Sequence, residues 1–430
     1  MGHRQSTVSL FSGAMGFDLG LERAGFKILT AVESKRIAAD TIAVNRPSIE
    51  VFDRPVEDVS AHELLDAARH GVGELELISA GPCCQAFSTA GKRQSMAEPR
   101  GNLFRHFLDI VSETKPRFFV MENVRGLLSA AEQHRPLAER GPGHPLLKPE
   151  ERYGSAFATV LEELRGTGYS IFVDLLNAAD FGVPQRRERL FIVGSRDGQR
   201  VDLPTPTHDR NGGRGRKPRW RTLRHGLKGL KDPEPAYTNF APGKIKFVKL
   251  VPEGGNWRDL PESMWSEALG GAAVSWGGRT GFYRRLSWDE PTPALTTRPD
   301  SKATMFAHPD LDRPLSVAEY ARIQQFPDDW VIEGTISQQY EQIGNAVPVG
   351  LAEAVGRSIR RAGQHATSRY KPGVVYCAND QLIHRIREGR GSVLNPERMR
   401  AVHGLTAARE WMKGVHDLRA AVADGIVLLK

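Results

Sequence analysis

The stretch TVSLFSGAMGFDLG, residues 7–20, decides the fold. Thr7 to Phe11 form a short apolar run of the kind a buried strand makes, and Gly13, Gly16 and Gly20 then lead into helical spacing. A strand that turns through glycines into a helix lets a ligand approach the backbone at the helix N-terminus. The pattern is not the dinucleotide fingerprint G-x-G-x-x-G, which speaks against a nicotinamide dehydrogenase. Further short runs follow at Phe26–Val32, Leu75–Ser79, Arg117–Met121, Tyr169–Leu175 and Arg189–Val193, with amphipathic stretches such as Leu103–Thr114 and Ser155–Arg165 between them. This alternation predicts an α/β fold with a parallel sheet, whose ligands bind at the carboxyl ends of the strands.

Composition narrows the class. A chain of 430 residues that is 40% hydrophobic and 26% charged has the make-up of a globular protein with room for two or three cores. No apolar run approaches the ~18 residues of a membrane helix, and no signal-peptide pattern opens the chain. Three cysteines, two of them adjacent, make no disulfide framework, so a reducing cytoplasm is the expected compartment. The net charge is +8, yet residues 208–250 alone carry 12 Lys/Arg against 3 Asp/Glu. Such a concentration points to a polyanionic partner.

Composition also shifts along the chain. Residues 130–152 read as an insertion loop, and after Gly194 the chain turns rich in Gly, Pro, Trp and Arg. Helical spacing returns from Pro314, where Ser316-Val-Ala-Glu319 is a capping box opening a helix at Val317–Gln325, followed by one at Val349–Ala362. Helices are also expected at Pro396–Met412 and Val415–Val422. The predicted units are 1–195, 196–312, 313–365 and a helical extension, 366–430.

Chemistry-bearing residues collect at the predicted strand ends. Glu33 follows the second run, where a carboxylate accepts both hydroxyls of a ribose, and Asp58 is placed to accept from an adenine amino group. Leu75–Ser79 runs into AGPCCQAFSTAG, residues 80–91, and Phe118–Met121 runs into Glu122-Asn123-Val124. A thiol beside a carboxylic acid suits addition to an electron-poor ring: sulfur attacks carbon while the acid protonates a ring nitrogen. In Gln185-Arg186-Arg187-Glu188-Arg189, positions 185, 187 and 189 share one face of an extended segment.

In order and type these segments resemble the DNA (cytosine-5) methyltransferase family: LFSGAMGFDLGLERAGF, GPCCQAFSTAGKR, ENV, QRRER, RPLSVAEYARIQQFPDDW and QIGNAVP, over roughly residues 7–362. The resemblance implies a Rossmann-like S-adenosylmethionine-dependent catalytic domain. A smaller target-recognition domain is inserted in it at 196–312, and PTPALTTRPDS resembles the element closing that domain. It implies Cys84 as nucleophile, because Cys84-Gln-Ala-Phe-Ser88 aligns with Pro-Cys-Gln-x-Phe-Ser, with Glu122 as acid, Arg189 on the base carbonyl and Arg187 in support. S-adenosylmethionine would contact Phe11, Gly13, Gly16, Glu33, Ser34, Asp58, Val59, Gly81, Leu103, Asn345 and Val347. DNA would meet Gln85, Ser88, Arg93, Arg100, Gln185, Thr296, Thr297 and Arg298, and no metal is implied. Trp220, Trp257, Tyr283, Arg279, Arg284 and Arg285 are candidates for groove contacts.

The implied partner is double-stranded DNA, bound by a monomer at the nucleoid, with a cognate restriction endonuclease acting separately or with none. Three residues depart from the family pattern: Ser9 where Asp is common, Met15 where Gly is common, and Cys83 in the usual place of proline. A tRNA cytosine-5 methyltransferase would carry Cys-Phe-Thr and a small recognition domain, and neither is present. Intact Cys84, Glu122, Arg189 and Asn345 argue against a catalytically inactive DNA-binding regulator.

Overall fold

A computed structural model describes residues 5–82, 102–136, 139, 144–145, 147–212, 217–273, 281–364, 369–388 and 419–429. The strands are β1 (Gln5–Leu10), β2 (Phe26–Val32), β3 (Glu50–Phe52), β4 (Leu77–Ala80), β5 (Phe118–Val124), β6 (Ser170–Asn177), β7 (Gln185–Arg186), β8 (Glu188–Ser195), β9 (Thr292–Pro293), β10 (Val375–Cys377) and β11 (Ile426–Leu428). The helices are α1 (Gly16–Ala24), α2 (Arg36–Asn45), α3 (Ala61–Ala68), α4 (Asn102–Thr114), α5 (Ser155–Gly166), α6 (Leu223–Leu227), α7 (Pro242–Val248), α8 (Glu262–Leu269), α9 (Val317–Ile323), α10 (Ile336–Asn345), α11 (Val349–Gln364) and α12 (Asp380–Glu388).

The main sheet runs in the order β11-β10-β6-β8-β5-β4-β1-β2-β3. All pairings are parallel except those of β8, which is antiparallel to both β5 and β6. Strand order reverses between β1 and β4, and such a reversal opens a crevice beyond the carboxyl ends of the two strands. Both sheet faces are covered, which is why the strands read as unbroken apolar runs. One core gathers Phe26, Phe118, Phe172 and Phe191 with α1 and α11; the other gathers Val8, Ile78, Phe119 and Ile192 with α3, α4 and α5.

Helices α1 and α11 approach closely because glycines face the contact. A Cβ at Gly20 would lie 2.4 Å from Ala352 Cβ, and one at Gly16 would lie 2.5 Å from the Val347 carbonyl oxygen. Any side chain there would push the strand-turn-helix off its support. The capping box at Ser316–Glu319 forms as expected, with Glu319 Oε2 accepting from the Ser316 N–H at 2.6 Å. A third core, built on Phe240, Phe247, Trp257, Tyr283 and Met305, lies within the Gly- and Arg-rich segment.

The extension corrects one expectation. It is not simply helical: β10 pairs with β6 through Val375↔Ile171 and Tyr376↔Phe172, and β11 pairs with β10. Tyr370 and Tyr376 pack on Phe172 at 5.6 and 5.5 Å between ring centroids. The expected helix Pro396–Met412 lies outside the described residues. Among the described residues no helix is long and apolar enough to cross a membrane.

Candidate active site

The crevice between β1 and β4 is bounded first by the turn after β1. Phe11 (φ 58°), Gly13 (φ 53°) and Met15 (φ 65°) are all left-handed. For Phe11 and Met15 this is strained backbone of the kind that clusters at ligand sites. It also explains why glycine is at home at position 15: the residue caps α1 in a conformation that a Cβ disfavours. Glu33 holds the turn in place. Its Oε2 accepts from the Gly13 N–H and its Oε1 from the Lys35 N–H, each at 2.8 Å. A Cβ at Gly13 would meet nothing within 4 Å, so the turn borders open space.

Other expected cofactor contacts follow neighbouring strands or sit on the helices beside them. Val59 is buried while Ser34 and Asp58 are exposed after β2 and β3, and Gly81 directly follows β4 with its Cβ position 3.7 Å from Glu122 Oε2. Val347 is buried against Gly16, Asn345 is exposed at the end of α10, and Leu103 is half-buried in the first turn of α4.

Glu122 stands at the end of β5 on the same rim. Its Oε1 lies 2.6 Å from Arg189 Nε, and both side chains are only 12% exposed. Register explains the meeting, since Val124 pairs with Arg189 across β5 and β8. Burial pushes the Glu122 carboxyl above the ordinary carboxylate range, and the opposing pull of Arg189, then Arg187, does not cancel it. A buried acid held against a guanidinium is suited to give a proton to a ring nitrogen while the arginine donates to a neighbouring carbonyl.

Arg187 does not share that outward role. It is 2% exposed and donates to the carbonyl oxygens of Leu295 (3.0 Å) and Gly344 (2.8 Å), tying three distant segments together. Gln185, expected at the DNA, is instead fully buried: its Oε1 accepts from the Leu295 N–H and its Nε2 donates to Gln324. Thr296 and Thr297 lie with their backbone against Gly344, whose Cβ would be 2.7 Å from the Thr296 oxygen, and Arg298 is exposed. Cys83, Cys84, Gln85, Ser88, Arg93 and Arg100 lie outside the described residues, between the ends of β4 and α4. Cys377 is buried, and burial followed by Asp174 pushes its thiol up to about 12, which removes it as a nucleophile.

Several expected groove contacts are structural instead. Trp257 and Tyr283 belong to the third core, and Trp220 donates to Asp180 at 2.8 Å. Arg285 is 6% exposed and spends its guanidinium on the carbonyls of Val248, Val251, His308 and Leu311 and on Asp312. Arg284 is half-buried, 5.5 Å from the Phe306 ring, and Arg279 lies outside the described residues.

Sequence reading passed over Asp18. It is fully buried in the first turn of α1, over the sheet face that carries Ser9, and neither carboxyl oxygen meets a donor in hydrogen-bond geometry. Burial raises its pKa to about 7, with the Ser9 hydroxyl pulling the other way. Its signal was an acidic residue at a position whose neighbours Phe17 and Leu19 are core. The folded carboxyl keeps its proton to about pH 7, whereas an unfolded aspartate loses it near pH 4. The native state therefore binds more protons in that window, and stability falls as pH rises through it. Asp18→Asn should be more stable than the native sequence at pH 8 by roughly 1–3 kcal/mol and nearly equal to it at pH 4. Urea denaturation at the two pH values measures this, and parallel pH profiles would contradict it.

The comparisons agree with this geometry. A family model described as C-5 cytosine-specific DNA methylase matches residues 5–361. The chain is similar to the type II methyltransferase M.Sau96I of Staphylococcus aureus, with 38% identity over 81% of this chain and 74% of that protein. It is also similar to M.PspPI of a Psychrobacter strain, with 39% identity over 83% and 79%. Among solved structures, a putative prophage-encoded DNA modification methyltransferase of E. coli superposes with a TM-score of 0.57 at 23% identity, covering 84% of this chain and all of that one. Turn, rim and register thus meet in one lineage, and this chain belongs to the C-5 cytosine-specific DNA methylase family.

Proposed function

We propose that the β1/β4 crevice binds S-adenosylmethionine and that Glu122 and Arg189 receive a cytosine flipped out of double-stranded DNA. The chain is a cytosine-5 DNA methyltransferase by family; the residue roles are our reading. The observation that carries it is the Glu122–Arg189 pair, buried on the rim of a crevice whose opposite wall is the strained turn at Phe11–Gly13.

The crevice residues fit the cofactor. Phe11 offers a ring for the purine, Glu33 a carboxylate for the ribose hydroxyls, and the open side of Gly13 leaves room for the backbone to be approached. S-adenosylmethionine supplies an electrophilic methyl group. The chain's residues make carbon 5 able to accept it. The Cys84 thiolate adds to carbon 6 while Glu122 gives a proton to N3, and Arg189 donates to the base carbonyl. The S–C6 bond raises the electron density at carbon 5, which takes the methyl group. A base then takes the carbon 5 proton, the S–C6 bond breaks to release the thiolate, and the N3 proton returns to Glu122, which restores the aromatic ring. The ring must leave the duplex to reach this pocket.

Residues 196–312 are the recognition unit in this reading, with 1–195 and 313–365 the catalytic domain. A third core over residues 240–307 supports a separate unit, and Arg210, Lys217, Arg219, Arg221, Lys228 and Lys231 are exposed in the segment before it, where they can meet phosphates. Monomeric action and a separate restriction endonuclease belong to the same proposal.

Bisulfite sequencing of DNA from cells expressing the chain tests the activity. Full protection of the cytosines of one short sequence is expected, and uniform conversion would contradict it. Glu33→Ala tests the crevice: S-adenosylmethionine binding should weaken by about 1–3 kcal/mol in calorimetry, the range for losing a buried polar partner. Unchanged affinity would remove Glu33 from the site.

A further inference from the structure

The extension reaches the active-site rim. Helix α12 is anchored by Leu382 and Ile386, which are 1% and 3% exposed within the core beneath β6 and β10. This burial sets the direction of Arg385 on the same helix. Its Nη1 donates to Glu188 Oε1 at 2.7 Å, and the other oxygen, Oε2, accepts from Arg125 Nη1, also at 2.7 Å. Glu188 opens β8 and directly precedes Arg189, whose Nη1 donates to the Glu188 carbonyl at 2.9 Å while its Nε meets Glu122. Arg125 follows Glu122-Asn123-Val124. Glu188 is thus clamped between the acid's segment on one side and the extension on the other. Although burial works against its charge, Arg385 and then Arg125 outweigh it, and the carboxyl titrates below its ordinary value. A second bond steadies the same edge, from Asn379 Nδ2 to Asp174 Oδ1 at 3.1 Å.

We propose that Arg385, which lies beyond the residues 5–361 matched by the family model, is a positioning residue for methyl transfer: it fixes Glu188 and hence the start of β8, so that Arg189 stays aimed at Glu122. This rests on the reading of Glu122 and Arg189 as the base pocket. A half-exposed ion pair adds little to stability. Its effect lies in alignment, where a shift of about 1 Å at the reacting groups costs up to about a hundredfold in rate.

Steady-state and single-turnover methylation by the full chain test the proposal. Arg385→Ala should lower kcat about tenfold with the KM for DNA and for S-adenosylmethionine nearly unchanged, because only the aim of Arg189 is altered. Arg385→Lys should recover most of the rate. Glu188→Gln should lose as much as Arg385→Ala, and the double variant no more than either, as expected of one shared contact. With Arg189 less engaged, the Glu122 proton is held to higher pH, so the alkaline fall in kcat should move upward in Arg385→Ala. An unchanged kcat with a lowered melting temperature would overturn the proposal, since the pair would then be a stabilising staple only. So would a raised KM for DNA with a weaker salt dependence, the mark of a phosphate contact. Glu122→Gln separates the two readings: if it is fully active the pocket itself is misassigned, whereas if it is inactive while Arg385→Ala keeps its kcat, only the brace fails.

Discussion

Glu122→Gln should lower kcat by about 10²–10⁴-fold, the usual contribution of a positioned general acid. Glutamine keeps the size of the side chain and can still pair with Arg189, yet it has no acidic proton for N3. Binding of S-adenosylmethionine should hardly change, because Glu33 and the turn at Gly13 lie on the other wall of the crevice. The native enzyme should also lose kcat as pH rises, since its acid is used protonated. Burial moves that loss upward from the ordinary carboxylate range, and Arg189 limits the displacement. Rapid-quench measurement of the methyl-transfer step at several pH values reads both effects. A variant within about threefold of native would show that the acid lies elsewhere.

Cys84→Ser should cost at least about a thousandfold in turnover, as removal of a covalent nucleophile does. A hydroxyl at that position is far less ionised than a thiol and adds poorly to carbon 6. Native enzyme with S-adenosylmethionine and DNA carrying 5-fluorocytosine should form a covalent adduct, because fluorine cannot leave as a proton does. Cys84→Ser should form none. Cys83→Pro, which restores the family's usual residue and stiffens the backbone, should keep both adduct and turnover. An adduct mapped by mass spectrometry to Cys83 would reverse the assignment.

The catalytic half of the fold was legible because period and punctuation agree there. Phe26–Val32 is the observed β2, and the ends of β5, β6 and β8 fall within a few residues of expectation. Strand β3 and strands β10 and β11 were not legible. They are three residues each, too short for alternation to register, and they exist because a neighbouring edge offers hydrogen bonds. Helix α10 was missed as well: Ile336, Tyr340 and Ile343 keep helical spacing behind the Thr335–Gln338 capping box, but they are only three apolar positions among Ser, Gln, Glu and Asn. At the site, the strand pattern placed Glu122 at a sheet edge and the family resemblance assigned Arg189, but that the two side chains pair was visible only in the register of β5 and β8. The resemblance put Gln185 at the DNA, and the charge of Arg285 made it a groove candidate, yet the hydrogen bonds of both turn inward. Sequence alone does not distinguish a polar side chain that meets solvent from one that satisfies buried carbonyls.

The contact between α1 and α11 has a consequence for how the protein comes into being. Arg360 donates to the carbonyl of Ala24 across 336 residues of chain. A ribosome adds about 5–20 residues per second, so tens of seconds pass before the first helix meets its partner. During that interval the flank of α1 that carries Leu21 and Ala24 has nothing to lie against on that side, and the left-handed turn before it lacks the backing of Val347. Closing so long a loop is entropically expensive and slows folding. Competence to bind the methyl donor should therefore arrive late and all at once, and the nascent N-terminal half is the stretch most in need of a chaperone.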